Sequence, residues 1–286
     1  MTHPVLSRGD KGDTVRQLQS LLNRVGGMLL ADGDFGAGTQ RAVRYAQDLA
    51  AQPVTGTADA VLWPWLDQRP DPFPLLATNG VAMIAREETG GLALYEALSQ
   101  WPQYPGVDSG ITIGVGYDLR FNSEADLRAL WGPHLPANAL EELAGDIGKR
   151  GSKRRAAELR KMGIAVPFKA AWPVFVEKTV PRYYQETVAI YPSLPRLPSL
   201  CRSVLVSIVF NRGPSLKGGT RTEMRTIQEM LVEADSPGMD QGQRKRLLTG
   251  VEDQILSMRR LWPVGSGLQK RRQTEANFWR EGISES

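Results

Sequence analysis

Apolar residues recur at helical spacing near the start of the chain. Val15, Leu18, Leu21, Leu22 and Val25 share one face of DTVRQLQSLLNRVG, and Ala42, Val43, Ala46 and Leu49 share one face of a second helix predicted from about Ala37 to Ala50. Asp13 or Thr14 is placed to cap the first helix, DGDFG reads as a glycine-rich turn, and TGTADAVLWPWL predicts a third, short helix from near Thr57. DQRPDPFP, residues 67–74, has three prolines in eight residues and cannot continue any of these helices. A further helix then begins in NGVAMIAREET with Val81, Ile84 and Ala85 facing inward, and Gly90 and Gly91 stop it.

The period changes in SGITIGVGYD, residues 109–118. Ile111, Ile113 and Val115 alternate with Thr112, Gly114, Gly116 and Asp118, which is the signature of a strand with one packed and one open face. A straight strand would hold Thr112 and Asp118 about 20 Å apart at about 3.3 Å per residue. The glycines at 114 and 116 permit a bulge or tight turn that brings them together. Downstream the pattern returns to helices: the stretch 148–161, AVPFKAAWPVFVEKTVPRYYQE, LCRSVLVSIVFNRG, RTEMRTIQEMLVEA, ILSMRRLWP and GLQKRRQTEANFW. The predicted fold is mainly α. A small three-helix domain (1–70) and a proline-rich linker (71–80) precede an α+β domain (81–286) with a small β-hairpin lobe.

At 286 residues and 41% hydrophobic content, the chain has room for two soluble domains. The apolar run VLVSIVF (204–210) is too short to span a bilayer, so no membrane insertion is expected. MTHPVLSRGDKGD lacks an apolar secretory core, and a single cysteine, Cys201, excludes an internal disulfide framework. The expectation is synthesis in the cytoplasm without a classical signal peptide. The net charge of +4 lies wholly after residue 70, densest in GKRGSKRRAAELRK (148–161), with further clusters at RKR (244–246) and KRR (270–272). Such faces attract polyanions, nucleic acid or an anionic wall polymer, while any single cluster reads first as a solvated helix face. No zinc-finger, RNA-binding or basic-zipper pattern points to nucleic acid.

Two histidines, His3 and His134, are too few for a zinc peptidase built on two imidazoles, and no phosphate loop is present; neither a metal nor an organic cofactor is expected. A Cys201–His134 thiol pair is formally available, but Cys201 opens an apolar helix and reads as core. Carboxyl groups remain as candidates. Glu87 and Glu88 fall in the last turn of their predicted helix, where the carbonyl end is an unfavourable place for an anion and suits a proton donor. Glycoside cleavage needs such an acid and a second group on the other face of the sugar, and Glu88, Thr112 and Asp118 can supply these.

The order LSRGDKGDTVRQLQSLL, DGDFGAGTQRAVRYAQ and PVTGTADAVLWPWL, residues 4–66, resembles the small helical peptidoglycan-binding module of wall hydrolases. Most of its matching residues are fold residues: Phe35 packs and Asp32 closes a turn. Residues 81–282 resemble phage-type lysozymes, especially the pesticin-like muramidases. The hairpin YPGVDSGITIGVGYDL is the most specific part, and VFNRG and KRR…E add support. The resemblance implies that Glu88 is the general acid, Asp118 a stabilising carboxylate and Thr112 the residue that places water. It further implies that Asn211 and Arg271 bind substrate, Arg271 or Arg272 holding the acid by an ion pair. Glu87 competes with Glu88, but only Glu88 stands seven residues before Tyr95, the spacing of phage lysozymes; Asp108 competes with Asp118, which TIGVGYD favours. The whole reads as a monomeric two-module muramidase acting on periplasmic peptidoglycan, either a phage endolysin or an injected antibacterial effector. The alternatives are a lytic transglycosylase and a non-catalytic wall-binding protein.

Overall fold

The computed structural model describes residues 3–106 and 108–285. The chain is mainly α: α1 (Asp13–Arg24), α2 (Ala37–Leu49), α3 (Leu62–Asp67), α4 (Thr78–Thr89), α5 (Leu92–Leu94, continued by a wider turn at Tyr95–Ser99), α6 (Glu124–Trp131), α7 (Ala137–Ala144), α8 (Lys153–Lys161), α9 (Phe168–Val174), α10 (Val180–Ile190), α11 (Ser199–Arg212), α12 (Thr222–Ala234), α13 (Gln241–Ser257) and α14 (Gly267–Ser284). Among the described residues the one sheet is a two-stranded antiparallel hairpin, β1 (Thr112–Ile113) and β2 (Tyr117–Asp118). The chain folds into two compact units, residues 1–72 with 85–180, and residues 73–84 with 181–286.

In the first unit α1 and α2 bury the apolar faces read from their spacing, with Val15, Leu18, Leu22, Ala42, Val43 and Ala46 fully enclosed. The α1 cap differs from expectation: the helix begins at Asp13 itself, Gly12 occupies the cap position, and Asp13 instead pairs with Arg16 at 2.9 Å. The third helix starts at Leu62 rather than near Thr57. Ala58 is held in a bridge to Leu6, and the Asp59 carboxylate accepts from the amides of Val61 and Leu62, so the turn ends only there. Two buried glutamines brace the turns. Gln19 donates to Asp32 Oδ1, Asp34 O and Thr39 Oγ1 while accepting from the Gly33 amide, and Gln47 does the same for Thr55, Thr57 and the Gly56 amide. His3 stacks on Trp63 at 4.3 Å.

These N-terminal helices share their unit with residues 85–180. Tyr45 lies 5.7 Å from Phe168, whose ring also meets Tyr95 at 4.9 Å and Trp172 at 5.9 Å. Arg41 pairs with Glu96 at 2.8 Å and Lys169 with Asp48 at 3.4 Å. The basic helix α8 is partly neutralised within the fold, Arg155 pairing with Asp146 and Glu142 and Arg154 with Glu158.

The second unit is built around α11, whose residues from Ser203 to Val209 are all buried. Packing follows α11 against α14, α14 against α13 and α13 against α12. Part of the segment read as linker belongs to this unit: Leu76 is buried, the Ala77 amide donates to Ser203 Oγ and Ser199 O, and Phe73 meets Tyr184 edge-on at 5.7 Å. The KRR cluster is a correction to the charge reading. Arg271 and Arg272 are buried rather than displayed, because Glu275, one turn on along α14, takes both guanidiniums. Among the described residues no helix is long and apolar enough to cross a membrane.

Candidate functional site

The hairpin follows from the alternation that predicted it. Ile111, Ile113, Val115, Tyr117 and Leu119 are buried, while Thr112, Gly114 and Asp118 keep partial exposure on the opposite side. Gly114 and Gly116 adopt φ of 59° and 75°, left-handed values that let three residues reverse the chain. Thr112 and Asp118 become direct cross-strand partners, with side chains on one face. A Cβ at Gly114 would lie 2.7 Å from the Trp131 ring. That ring meets Tyr117 edge-on at 5.5 Å and supports the packed face. Thr112 is fixed on its other edge as well, exchanging both backbone bonds with Gln103.

Asp118 is oriented by backbone donors. Its Oδ1 accepts from the amides of Gly110 and Arg120, each at 2.9 Å, and Oδ2 lies 3.1 Å from the Gly110 amide. The approach requires glycine at 110, where a Cβ would come within 2.5 Å of Oδ1. Oδ1 is thus engaged twice and Oδ2 is the less engaged oxygen. Asp108 is exposed and pairs with Arg120 at 3.7 Å.

Glu88 is the penultimate residue of α4, and Gly90 and Gly91, at φ 78° and 91°, end the helix as the sequence predicts. Glu88 is exposed and Glu87 half-buried. Between them and the glycines, buried Thr89 donates to Ala85 O at 2.8 Å, which locks the last turn. Tyr95 is buried, donates to Val166 O at 2.9 Å, and burial pushes its phenol well above the usual range. Glu88, Thr112 and Asp118 therefore belong to one compact unit.

Asn211 and Arg271 belong to the other unit, where they join one polar cluster. Glu275 is fully buried and its Oε1 accepts from Arg271 Nε at 3.1 Å, from Arg272 Nη2 at 2.9 Å and from Ser207 Oγ at 2.6 Å, while its Oε2 pairs with Arg272 Nε at 2.8 Å as an ion contact. Arg272 also donates to Asn211 Oδ1 at 3.3 Å, and Arg271 to the Ser207 carbonyl at 2.9 Å. Trp262 stands beside both Arg212 and Arg272, at 5.3 and 5.6 Å from its ring centre. Burial, with Arg221 and Arg272 nearby, brings Arg212 down to about 10. Ser207, Trp262 and Arg212 were not singled out as site residues from the sequence. The signal for Ser207 is a hydroxyl on an apolar helix, which needs a buried polar partner.

Cys201 is fully buried, its thiol directed at the Trp279 carbonyl, and burial pushes it up to about 12. No group of three or more His, Cys, Asp or Glu among the described residues is arranged to hold a metal ion.

Residues 11–66 match the family described as "Putative peptidoglycan binding domain", which supports a wall-binding module at the N-terminus and peptidoglycan as the partner. No curated protein matches the chain.

Proposed function

We propose that the protein is a muramidase that hydrolyses the bond between N-acetylmuramic acid and N-acetylglucosamine in peptidoglycan. The observation that carries this reading is the hairpin, which sets Thr112 beside a backbone-anchored Asp118 on an open face, in the unit that holds the helix-terminal Glu88. The wall-binding module supplies the substrate class.

Glu88 donates its proton to the glycosidic oxygen as that oxygen leaves the anomeric carbon. Thr112 holds the attacking water, and Asp118, through Oδ2, stabilises the cationic transition state and takes the proton the water releases. Water attacks directly, so the products carry free reducing muramic acid ends. The protein acts in the periplasm, as a phage endolysin or an injected effector.

The test is turbidity clearing of outer-membrane-stripped cells, with mass analysis of the released fragments. Reducing muramic acid ends are expected. Anhydro products, lighter by one water, would make the protein a lytic transglycosylase, and no release of soluble fragments would leave wall binding alone.

A further inference from the structure

A cavity of about 430 Å³ opens within the first unit, between the turn and helix α2 of the wall-binding module on one side and Arg86 with residues 90–93 on the other. Its size falls within the range of small-ligand sites, about 300–1,000 Å³. The wall contributed by Arg86 and residues 90–93 lies outside the matched module, and Arg86 stands two residues before Glu88 on the same helix.

The charges lining it do not cancel one another. Arg41 is engaged by Glu96 and Asp34 by Lys11, but half-buried Arg86 makes no side-chain hydrogen bond or ion pair among the described residues. Across the same cavity Asp32 has Oδ1 held by Gln19 and by the Asp34 amide, which leaves Oδ2 open among the described residues. Met28 and Leu92 supply apolar wall between them. An unpaired guanidinium and a half-engaged carboxylate in one cavity, not bonded to each other, match a ligand bearing both signs of charge and small apolar groups.

We propose that this cavity binds the stem peptide of peptidoglycan, a carboxylate meeting Arg86 and the free ammonium of the uncrosslinked diamino acid meeting Asp32. The alanine methyls lie against Met28 and Leu92. The inference rests on the wall-hydrolase reading and deepens it: the module does more than retain the enzyme on the wall, because a peptide seated here hangs from a glycan close to Glu88.

The test uses the full chain and a synthetic tetrapeptide, L-alanine, γ-D-glutamate, meso-diaminopimelate and D-alanine, titrated by calorimetry, with a sacculus pull-down in parallel. Saturable binding is expected. Arg86→Ala, or acetylation of the free diaminopimelate amine, should each weaken it about tenfold, the size of one lost charge-assisted hydrogen bond. Gly38→Trp and Ala93→Trp fill the cavity from opposite walls and should abolish binding. A Cβ at Gly38 makes only ordinary contact with Leu29, at 3.7 Å, and Ala93 is exposed, so both variants should melt like the parent. If sacculi are retained while the tetrapeptide does not bind, or binds undiminished in both tryptophan variants, the cavity assignment is wrong and wall binding stands. If neither sacculi nor tetrapeptide binds, the wall-binding reading fails as well.

Discussion

Asp118 has two jobs in the reading given above, and two substitutions separate them. Its carboxylate braces the hairpin through the amides of Gly110 and Arg120 and is proposed to supply charge to the reaction. Asp118→Asn keeps an oxygen where Oδ1 accepts both 2.9 Å bonds, and gives up only the 3.1 Å share taken by Oδ2. The expected stability loss is below about 1 kcal/mol. Asp118→Ala removes both braces. Each amide bond to a carboxylate contributes about 1.5 kcal/mol at the low end suited to a half-exposed group, so the loss is about 3 kcal/mol. At about 2 °C per kcal/mol for a chain of this size, the melting temperature should fall about 6 °C in the alanine variant and barely move in the asparagine variant. Lysis should nevertheless fall about 100-fold or more in both, because neither has the charge that stabilises the transition state. Near-parental clearing by a folded Asp118→Asn would refute the catalytic role and leave Asp118 a hairpin brace. Activity lost only in proportion to folded protein would do the same.

Glu88→Gln should abolish clearing without changing wall retention or melting, and Glu87→Gln should cost much less; the reverse order would move the acid to Glu87. Gly114→Ala places a Cβ at φ 59° within 2.7 Å of Trp131, and should lower stability by about 1–3 kcal/mol in a denaturant titration. Cys201 should resist thiol reagents at pH 8 until the chain unfolds. Because burial raises its folded value from 9.0 to about 12, its contribution to stability is complete below pH 9 and is lost as pH rises from 9 toward 12, which alkaline unfolding curves of the parent and Cys201→Ala will show. A fragment of residues 75–286 should melt below the full chain, since it uncovers the ring cluster at Phe168; an unchanged melting temperature would mean that the module's contacts contribute nothing.

Local pattern was enough to read some elements and not others. The hairpin was legible because period two, interrupted by two glycines, leaves few alternatives for Ile111 to Asp118. The end of α4 was legible from Gly90 and Gly91. The anchoring of Asp118 was not, because it depends on Gly110 approaching from eight residues away, with no side chain to betray the contact. The KRR cluster was misread by counting charge alone. The offsets of three and four residues from Arg272 and Arg271 to Glu275 were present in the sequence and point to one shared helix face. The start of α3 slipped because Thr57 looks like a cap, whereas Asp59 holds the turn and Ala58 is tied to Leu6. Arg86 drew no attention because an arginine in a helix usually finds a carboxylate, and only the fold shows that this one finds none among the described residues.

The packing of the wall-binding module changes what it can contribute. A module on a free tether raises the local concentration of substrate and nothing else, since the linker fixes no orientation. Here the two ion pairs at its edge, Arg41 with Glu96 and Lys169 with Asp48, join largely exposed side chains and contribute little, about 0–1 kcal/mol each. The substantial contact is apolar. Phe168 and Trp172, 4% and 6% exposed, press close against Gly26 and leave no room for a Cβ there, while Tyr45 meets the Phe168 ring. Burial, with Asp48 and Glu96 nearby, drives the Tyr45 phenol well above its usual range. A seam of that kind fixes direction as well as distance. A wall strand held by the module would reach the hairpin in one orientation, and the gain would then lie in alignment of the scissile bond, which concentration alone does not provide.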